Sequence, residues 1–140
     1  MADKIPEDRR SWNMSRIRSK GMKPELVVRQ LVHGMGYRYR LHRKELPGKP
    51  DLVFGPRRKV IFVHGCFWHQ HADPSCKIVR TPKSRLDYWK PKLDRNVERD
   101  RAAQDTLNAS GWKCLTVWEC ETHSARLPEL AERLERFLED

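Results

Sequence analysis

The sequence lacks any long apolar run, and this absence excludes a class of protein. No stretch of its 140 residues approaches the roughly 20 apolar residues that a membrane-spanning helix needs. The first ten residues, MADKIPEDRR, are too polar for a secretory signal. Internal repeats and low-complexity segments are also absent. We therefore expect a soluble, cytoplasmic protein with no membrane partner, of a length that suits one domain.

Acidic residues are scarce relative to basic ones, which points to an anionic partner. The chain has 19 Asp and Glu against 29 Lys and Arg, which gives a net charge of +10 and a pI near 9.8. Such an excess is expected of a protein that neutralises phosphates. Composition alone does not separate DNA from RNA or from an anionic membrane surface.

Hydrophobic spacing predicts alternating helices and strands. Apolar residues recur at helical spacing after Pro24, and apolar and basic residues alternate from Tyr37. Two short β-rich runs joined by residues 55–58 predict an antiparallel hairpin. The predicted elements are a helix at 23–35, strands at 37–41, 51–54 and 59–63, a helix at 90–108, a strand at 112–118, and a last helix carrying Leu127, Leu130, Leu134 and Phe137.

This order of elements predicts one α/β domain over residues 23–140, with a mixed central sheet flanked by helices. Residues 1–22 carry six basic side chains, five of which lie around Trp12 and Met14, and they predict a basic N-terminal arm. A frayed terminus is an equally ordinary outcome for such a segment.

The cysteines are few, and their spacing predicts a zinc site. In a reducing compartment, four cysteines are expected to be free or metal-bound. Cys66, His71 and Cys76 form a C-x4-H-x4-C pattern, and tetrahedral zinc favours thiolate and imidazole ligands. Cys114 and Cys120 compete to be the fourth ligand. The helix between the 59–63 and 112–118 strands is a crossover, so these strands should be parallel, which brings Cys120 rather than Cys114 to Cys66. Four protein ligands make the zinc structural.

A carboxylate is predicted beside this site. If Phe54 faces Lys59 or Val60 across the hairpin, then Asp51 lies near the end of the second strand. The pair Pro50-Asp51 resembles the start of the metal-binding core of restriction-endonuclease-like nucleases. The second half of that core is usually an acidic residue, a spacer and a lysine, whereas residues 63–65 are Val-His-Gly.

Longer stretches resemble one family. RSWNMSRIRSKGMKPE, PGKPDLVF, VHGCFWHQH, YWKPKLDRNVERD and GWKCLTVWEC are similar to successive landmarks of the Vsr endonucleases of very short patch repair. The similarity covers roughly residues 10–122, and it implies a restriction-endonuclease-like fold in this bacterial, nucleoid-associated DNA repair family.

The resemblance implies a catalytic site. The carboxylate of Asp51 and the backbone carbonyl of Val63 would hold a catalytic Mg²⁺, an ion that prefers oxygen ligands. His69 is the candidate general base, because an imidazole titrates near neutral pH. His64 and Glu25 are expected to orient water or phosphate. An acid such as Glu25 is also favourable in the first turn of a helix through the dipole alone.

The resemblance also implies how DNA is bound. Phe67, Trp68 and Trp89 would insert beside the mismatch, where unstacking costs least. Met14 and Arg16 of the arm would reach the other side of the duplex. The implied activity is a strand-specific nick 5′ of the thymine in T:G mismatches, which arise from deaminated 5-methylcytosine, by a monomer that could contact mismatch-repair proteins.

The sequence leaves two alternatives open. One is a restriction-like or structure-specific DNA nuclease on the same core with another target. The other is a zinc-stabilised, non-catalytic DNA-binding module, which accounts for the charge and the cysteines but leaves Asp51, His64 and His69 without a task.

Overall fold

The computed structural model describes residues 23–41, 43–76 and 84–140. The predicted arm over residues 1–22, with Met14 and Arg16, lies outside the described residues. Within the described ranges the chain forms three α-helices and one four-stranded sheet. The helices are α1 (Pro24–Gly34), α2 (Leu86–Ala109) and α3 (Leu127–Glu139), and the strands are β1 (Arg40–Leu41), β2 (Leu52–Phe54), β3 (Lys59–His64) and β4 (Lys113–Trp118).

The sheet is mixed, as the sequence predicts, with the strand order β1-β2-β3-β4. The predicted hairpin is confirmed: β2 and β3 are antiparallel, with Phe54 opposite Lys59. The predicted crossover is also confirmed, because β3 and β4 are parallel and His64 pairs with Trp118. Their carboxyl ends therefore lie side by side, and the chemically active side chains collect there.

Helices cover both faces of the sheet. Leu52 and Ile61 belong to a buried cluster with residues of α1 and α3, while Val53 and Val60 belong to a second cluster with Leu107 of α2. This division follows from the period of two along a strand, which sends successive side chains to opposite faces. Each fully buried aliphatic side chain contributes about 1.5–3 kcal/mol, so the two layers hold the strand ends in place.

The predicted strand over 37–41 is wrong in its extent, since β1 contains only Arg40 and Leu41. The end of α1 explains the difference. Gly36, with φ +94°, takes the left-handed conformation, its N–H bonds the His33 carbonyl, and the Tyr37 N–H bonds the Val32 carbonyl. These two bonds form a Schellman motif, so the backbone of Tyr37 caps a helix.

The charged helix α2 begins at Leu86, four residues before the predicted start, and ends at Ala109. A helix that began at residue 90 would have Pro91 in its first turn, where proline is favourable. Pro91 instead occupies the sixth helical position, at the loss of one backbone hydrogen bond to the carbonyl of Asp87. Among the helices of the described residues, none is long and apolar enough to cross a membrane.

The last helix, α3, buries Leu127, Leu130, Leu134 and Leu138, whereas the predicted Phe137 is only partly buried. Lys59, at the start of β3, reaches the end of this helix. Its buried ammonium donates hydrogen bonds to the carbonyls of Phe137 and Asp140, both at 2.6 Å. Burial lowers the pKa of Lys59, but carbonyls at a helix C-terminus suit a cation.

Candidate functional site

The hairpin puts Asp51 beside the end of β3, as its register predicts. The Asp51 N–H donates to the carbonyl of Ile61 at 3.1 Å, just before the first residue of β2. One carboxylate oxygen of Asp51, Oδ2, accepts the N–H of Val63 at 2.6 Å. A hydrogen bond to an ionised acceptor is stronger than a neutral one, so β3 holds this carboxylate in a defined position.

Two histidines and an aspartate meet just beyond that point. His64 is the last residue of β3, and its ring stacks on that of His69 with 3.9 Å between centroids and an interplanar angle of 6°. His69 Nδ1 lies 2.5 Å from Oδ2 of Asp100, which is carried by α2, and His64 Nδ1 lies 4.0 Å from the same oxygen. When Nδ1 of His69 donates its proton to Asp100, Nε2 has the free lone pair that a general base requires.

His64 has a different environment from His69. It is 6% exposed, and its Nδ1 has no hydrogen-bond partner within the described part of the chain. Burial and the nearby charge of His69 lower the pKa of His64 to about 4, against the opposing effect of Asp100. His64 is therefore neutral near pH 7, which suits a group that supports the His69 ring rather than one that exchanges protons.

The four predicted zinc ligands come together in the loop after β3 and at the end of β4. Cys66, His71, Cys76 and Cys120 each present one donor atom, and these atoms all lie within 4.8 Å of one another. Nδ1 of His71 is 3.7 Å from the sulfur of Cys66 and 3.5 Å from that of Cys120. Across a tetrahedral zinc with bonds of about 2.3 Å to sulfur and 2.0–2.1 Å to nitrogen, this separation is about 3.6 Å. The donor set and its spacing fit zinc, and the zinc-binding role stays a prediction.

The surroundings of the thiols are consistent with a metal centre. Burial raises the pKa of Cys66 and, to a smaller extent, that of Cys120. Without a cation these thiols would be protonated, since a buried thiolate needs positive charge beside it. The Cys120 N–H donates to the sulfur of Cys66 at 3.4 Å, and Arg126 lies 3.8 Å from the sulfur of Cys120. Cys114 instead pairs with Val60 and packs against the second core cluster.

The three predicted aromatic residues form one cluster at the surface. Ring centroids are 5.3 Å apart for Phe67 and Trp68, 5.9 Å for Phe67 and Trp89, and 5.6 Å for Trp68 and Trp89. Trp68 is 51% exposed, and Asn96 of α2 donates to its backbone carbonyl at 3.2 Å. Tyr88 adds a fourth ring, 5.2 Å from Trp89, to which the sequence interpretation gave no role.

The structure does not bring every predicted residue into one group. Glu25 lies in the first turn of α1 and forms an ion pair with Arg29 at 3.3 Å, the arrangement that a first-turn acid adopts without any catalytic role. Within the described residues, neither Glu25 nor Asp51 belongs to the close group of His64, His69 and Asp100. Met14 and Arg16 lie outside the described residues.

Asp100 is the residue that the sequence interpretation missed. It lies among several acids of α2 with similar neighbours along the chain. One signal distinguishes it: Leu93, Ala103 and Leu107 are the buried positions of α2, and Asp100 lies seven residues after the first and three before the second. An acid on the apolar stripe of a helix is unusual and needs a partner, here His69.

Comparison with known proteins identifies the family of the chain. The family model for the DNA mismatch endonuclease Vsr matches residues 2–76. The type II nicking enzyme V.XorIIP of Xanthomonas oryzae is 50% identical over 139 residues, covering 99% of this chain and 98% of that protein. The DNA mismatch endonuclease Vsr of Escherichia coli is 39% identical over 141 residues, covering 99% of this chain and 88% of that protein.

The family model and the relatives define the class: the chain is a DNA endonuclease, an enzyme that hydrolyses phosphodiester bonds. More narrowly, it belongs to the DNA mismatch endonuclease Vsr family, whose members act on DNA at mismatches. The family resemblance is therefore confirmed.

Proposed function

We propose that this endonuclease nicks DNA on the 5′ side of the thymine in T:G mismatches and so starts very short patch repair of deaminated 5-methylcytosine. The observation that carries the proposal is the His69–Asp100 pair in the loop after β3, together with the Asp51 carboxylate that Val63 of β3 holds. A carboxylate, an oriented imidazole and a neighbouring aromatic surface are the parts needed to hydrolyse a phosphodiester next to an opened base step.

His69 is the general base of the proposed reaction. Asp100 fixes the ring through Nδ1, so Nε2 takes the proton from the attacking water. The stacked ring of His64 limits rotation of His69, and the low pKa of His64 prevents a second positive charge from forming there. Glu25 is proposed as an auxiliary that orients water or phosphate.

Asp51, through its carboxylate, and Val63, through its backbone carbonyl, would hold a Mg²⁺ ion whose charge stabilises the negative charge that develops on the phosphate. The hydrogen bond from Val63 to Asp51 favours this pairing, since it fixes the carboxylate next to the residue that supplies the second oxygen. Few protein ligands suffice, because Mg²⁺ retains several waters.

Zinc has a separate, structural task in this proposal. Cys66, His71, Cys76 and Cys120 would close a four-coordinate site with no open position. Phe67, Trp68 and His69 lie between the first two of these residues along the chain, so a bound zinc would fix the loop that presents both the aromatic cluster and the base.

The aromatic cluster is the proposed means of finding the mismatch. Phe67, Trp68 and Trp89 would insert beside the T:G pair, and the arm over residues 1–22 would hold the duplex through Met14 and Arg16. Base–aromatic stacking contributes about 1–3 kcal/mol per base, and a mismatched step costs less to open than a paired one. We propose that one copy of the 23–140 domain, with a restriction-endonuclease-like core, acts alone on the DNA, with mismatch-repair proteins as further partners.

The test is cleavage of duplexes that share their flanks and differ only at one position. T:G, T:A, C:G and branched duplexes, labelled on either strand, are incubated with the protein in the presence and absence of Mg²⁺. We expect one nick, 5′ of the mismatched thymine, that requires Mg²⁺. Equal cleavage of the T:A or branched duplex would instead favour a restriction-like or structure-specific nuclease. Binding to T:G DNA without cleavage under any condition would favour the non-catalytic module.

A further inference from the structure

Gly48 lies at an unusually close contact in the loop that leads to Asp51. Its φ is +75°, and a Cβ built there would lie 2.7 Å from Cβ of Ala103 and 3.0 Å from Cε1 of Phe62. Non-bonded carbon atoms normally lie about 3.5–4.0 Å apart. The backbone of Gly48 therefore occupies a position that no residue with a side chain could share with α2 and β3.

Each of the three segments that meet at this contact carries part of the proposed site. Gly48 lies three residues before Asp51, and Ala103 lies three residues, nearly one helical turn, after Asp100. Phe62 directly precedes Val63 in β3, so its ring is anchored to the strand that holds the carboxylate.

We propose that Gly48 is a positioning residue of the nicking reaction: its missing side chain sets how closely the loop of Asp51 approaches α2, and thereby the placement of Asp51 relative to the His69–Asp100 pair. This inference rests on the proposed roles of those three residues. Ala103 Cβ cannot move aside alone, since it is fixed to a helix backbone. A side chain at position 48 must therefore separate the loop from the helix by about 1 Å, a misplacement that can cost about 100-fold in rate.

The chain offers a matched control for the strain of a left-handed residue. Gly36 has φ +94°, and a Cβ there would have nothing within 4 Å. Gly36→Ala and Gly48→Ala therefore impose a similar backbone penalty, and only the second also creates a clash. For both variants we would measure the single-turnover nicking rate on a T:G duplex, the Kd for the same duplex in Ca²⁺, and the melting temperature.

We expect Gly48→Ala to lower the nicking rate about 100-fold with a Kd within about threefold of the parent, and Gly36→Ala to keep a rate within about threefold. The ring NMR signals of His64 and His69 should shift in Gly48→Ala and not in Gly36→Ala. Equal nicking rates for the two variants, or a loss of DNA binding that matches the loss of rate, would overturn the proposal.

Substitutions at Ala103 test the same contact from the helix side. Ala103→Val crowds the contact without placing a side chain on a left-handed residue, so it should reproduce the slow nicking even if Gly48→Ala fails to fold. Ala103→Gly in the Gly48→Ala background removes the shorter of the two clashes and should restore at least about tenfold in rate. Fast nicking by Ala103→Val, or no recovery in the double variant, would contradict the positioning role. These comparisons are made against the parent, so a parent that does not nick T:G DNA refutes the proposed function instead.

Discussion

Two clusters of side chains, each with at least one histidine, draw residues in turn from the segment 64–71, and the two clusters differ in geometry. His64 and His69 meet Asp100, while Cys66 and His71 meet two further cysteines. In the first cluster the shortest contact is 2.5 Å between a nitrogen and an oxygen, which suits a shared proton and leaves no space for an ion between the atoms. In the second cluster the nitrogen–sulfur separations of 3.5–3.7 Å suit ligands on opposite sides of a cation.

The comparison shows how one short segment can serve two kinds of chemistry. Residues 64–71 alternate between the two clusters. The sulfur-rich cluster is the group of Cys66, His71, Cys76 and Cys120, and His69 lies between the first two of these along the chain. Fixing the sulfur-rich cluster therefore also restricts the ring of His69. If the clusters have separate tasks, substitutions in the sulfur-rich cluster should change metal content and stability. Substitutions at the catalytic residues should change the nicking rate alone.

The largest effect is expected in the sulfur-rich cluster. Cys120→Ser should bring zinc well below one ion per chain and lower the free energy of unfolding by about 4 kcal/mol or more, because structural zinc contributes folding energy directly. Elemental analysis and chemical denaturation measure both quantities. Cys114→Ser is the control, since Cys114 lies outside the cluster and should retain full zinc. Loss of zinc from the control, or its retention in Cys120→Ser, would break the assignment.

The next effect is catalytic and should leave the metal centre intact. Asp51→Asn retains an oxygen that can accept the Val63 N–H but removes the charge, and it should slow nicking by about 1,000-fold or more. The zinc content and the melting temperature should match those of the parent. Near-normal cleavage by this variant would refute the proposed role of Asp51.

A smaller effect is expected for the positioning of the base. Asp100→Asn should slow nicking about 100-fold, because the amide no longer stabilises a positive charge on His69 and does not favour the same tautomer. Asp105→Asn, an exposed position on the same helix, should stay within about twofold of the parent. Single-turnover rates on a T:G duplex distinguish the two variants, and equal rates would remove Asp100 from the site.

The smallest effect concerns recognition of the mismatch. Trp68→Ala should weaken binding to a T:G duplex about tenfold, since one exposed stacking surface is lost, and should change binding to the matched duplex much less. Leu86→Ala provides a control at another exposed apolar residue. Fluorescence anisotropy with both duplexes measures the discrimination. An equal loss on both duplexes would show that Trp68 contributes general affinity instead.

Much of the fold could be predicted from local patterns in the sequence, and the failures had local causes as well. The hairpin and the crossover followed from strand-length runs, turn residues and chain order, and both are confirmed. The strand at 37–41 was overextended because alternation of apolar and basic residues continues through Tyr37, whose backbone caps α1 instead. The predicted start of α2 was four residues too late, and the helix continues through Pro91, a residue that favours a first turn.

The sequence by itself determined the partners within the sulfur-rich cluster, because the spacing of Cys66, His71 and Cys76 and the parallel crossover leave Cys120 as their neighbour. Only the tertiary structure decided the other cluster, because the stripe of α2 on which Asp100 lies is defined by the positions that the helix buries. Asp100 lies 31 residues from His69 along the chain, and its selection among the acids of α2 depends on which face of that helix packs against the sheet and on how closely the helix can approach. The close approach in turn depends on the Gly48–Ala103 contact, a matter of packing between distant segments that local sequence patterns do not encode.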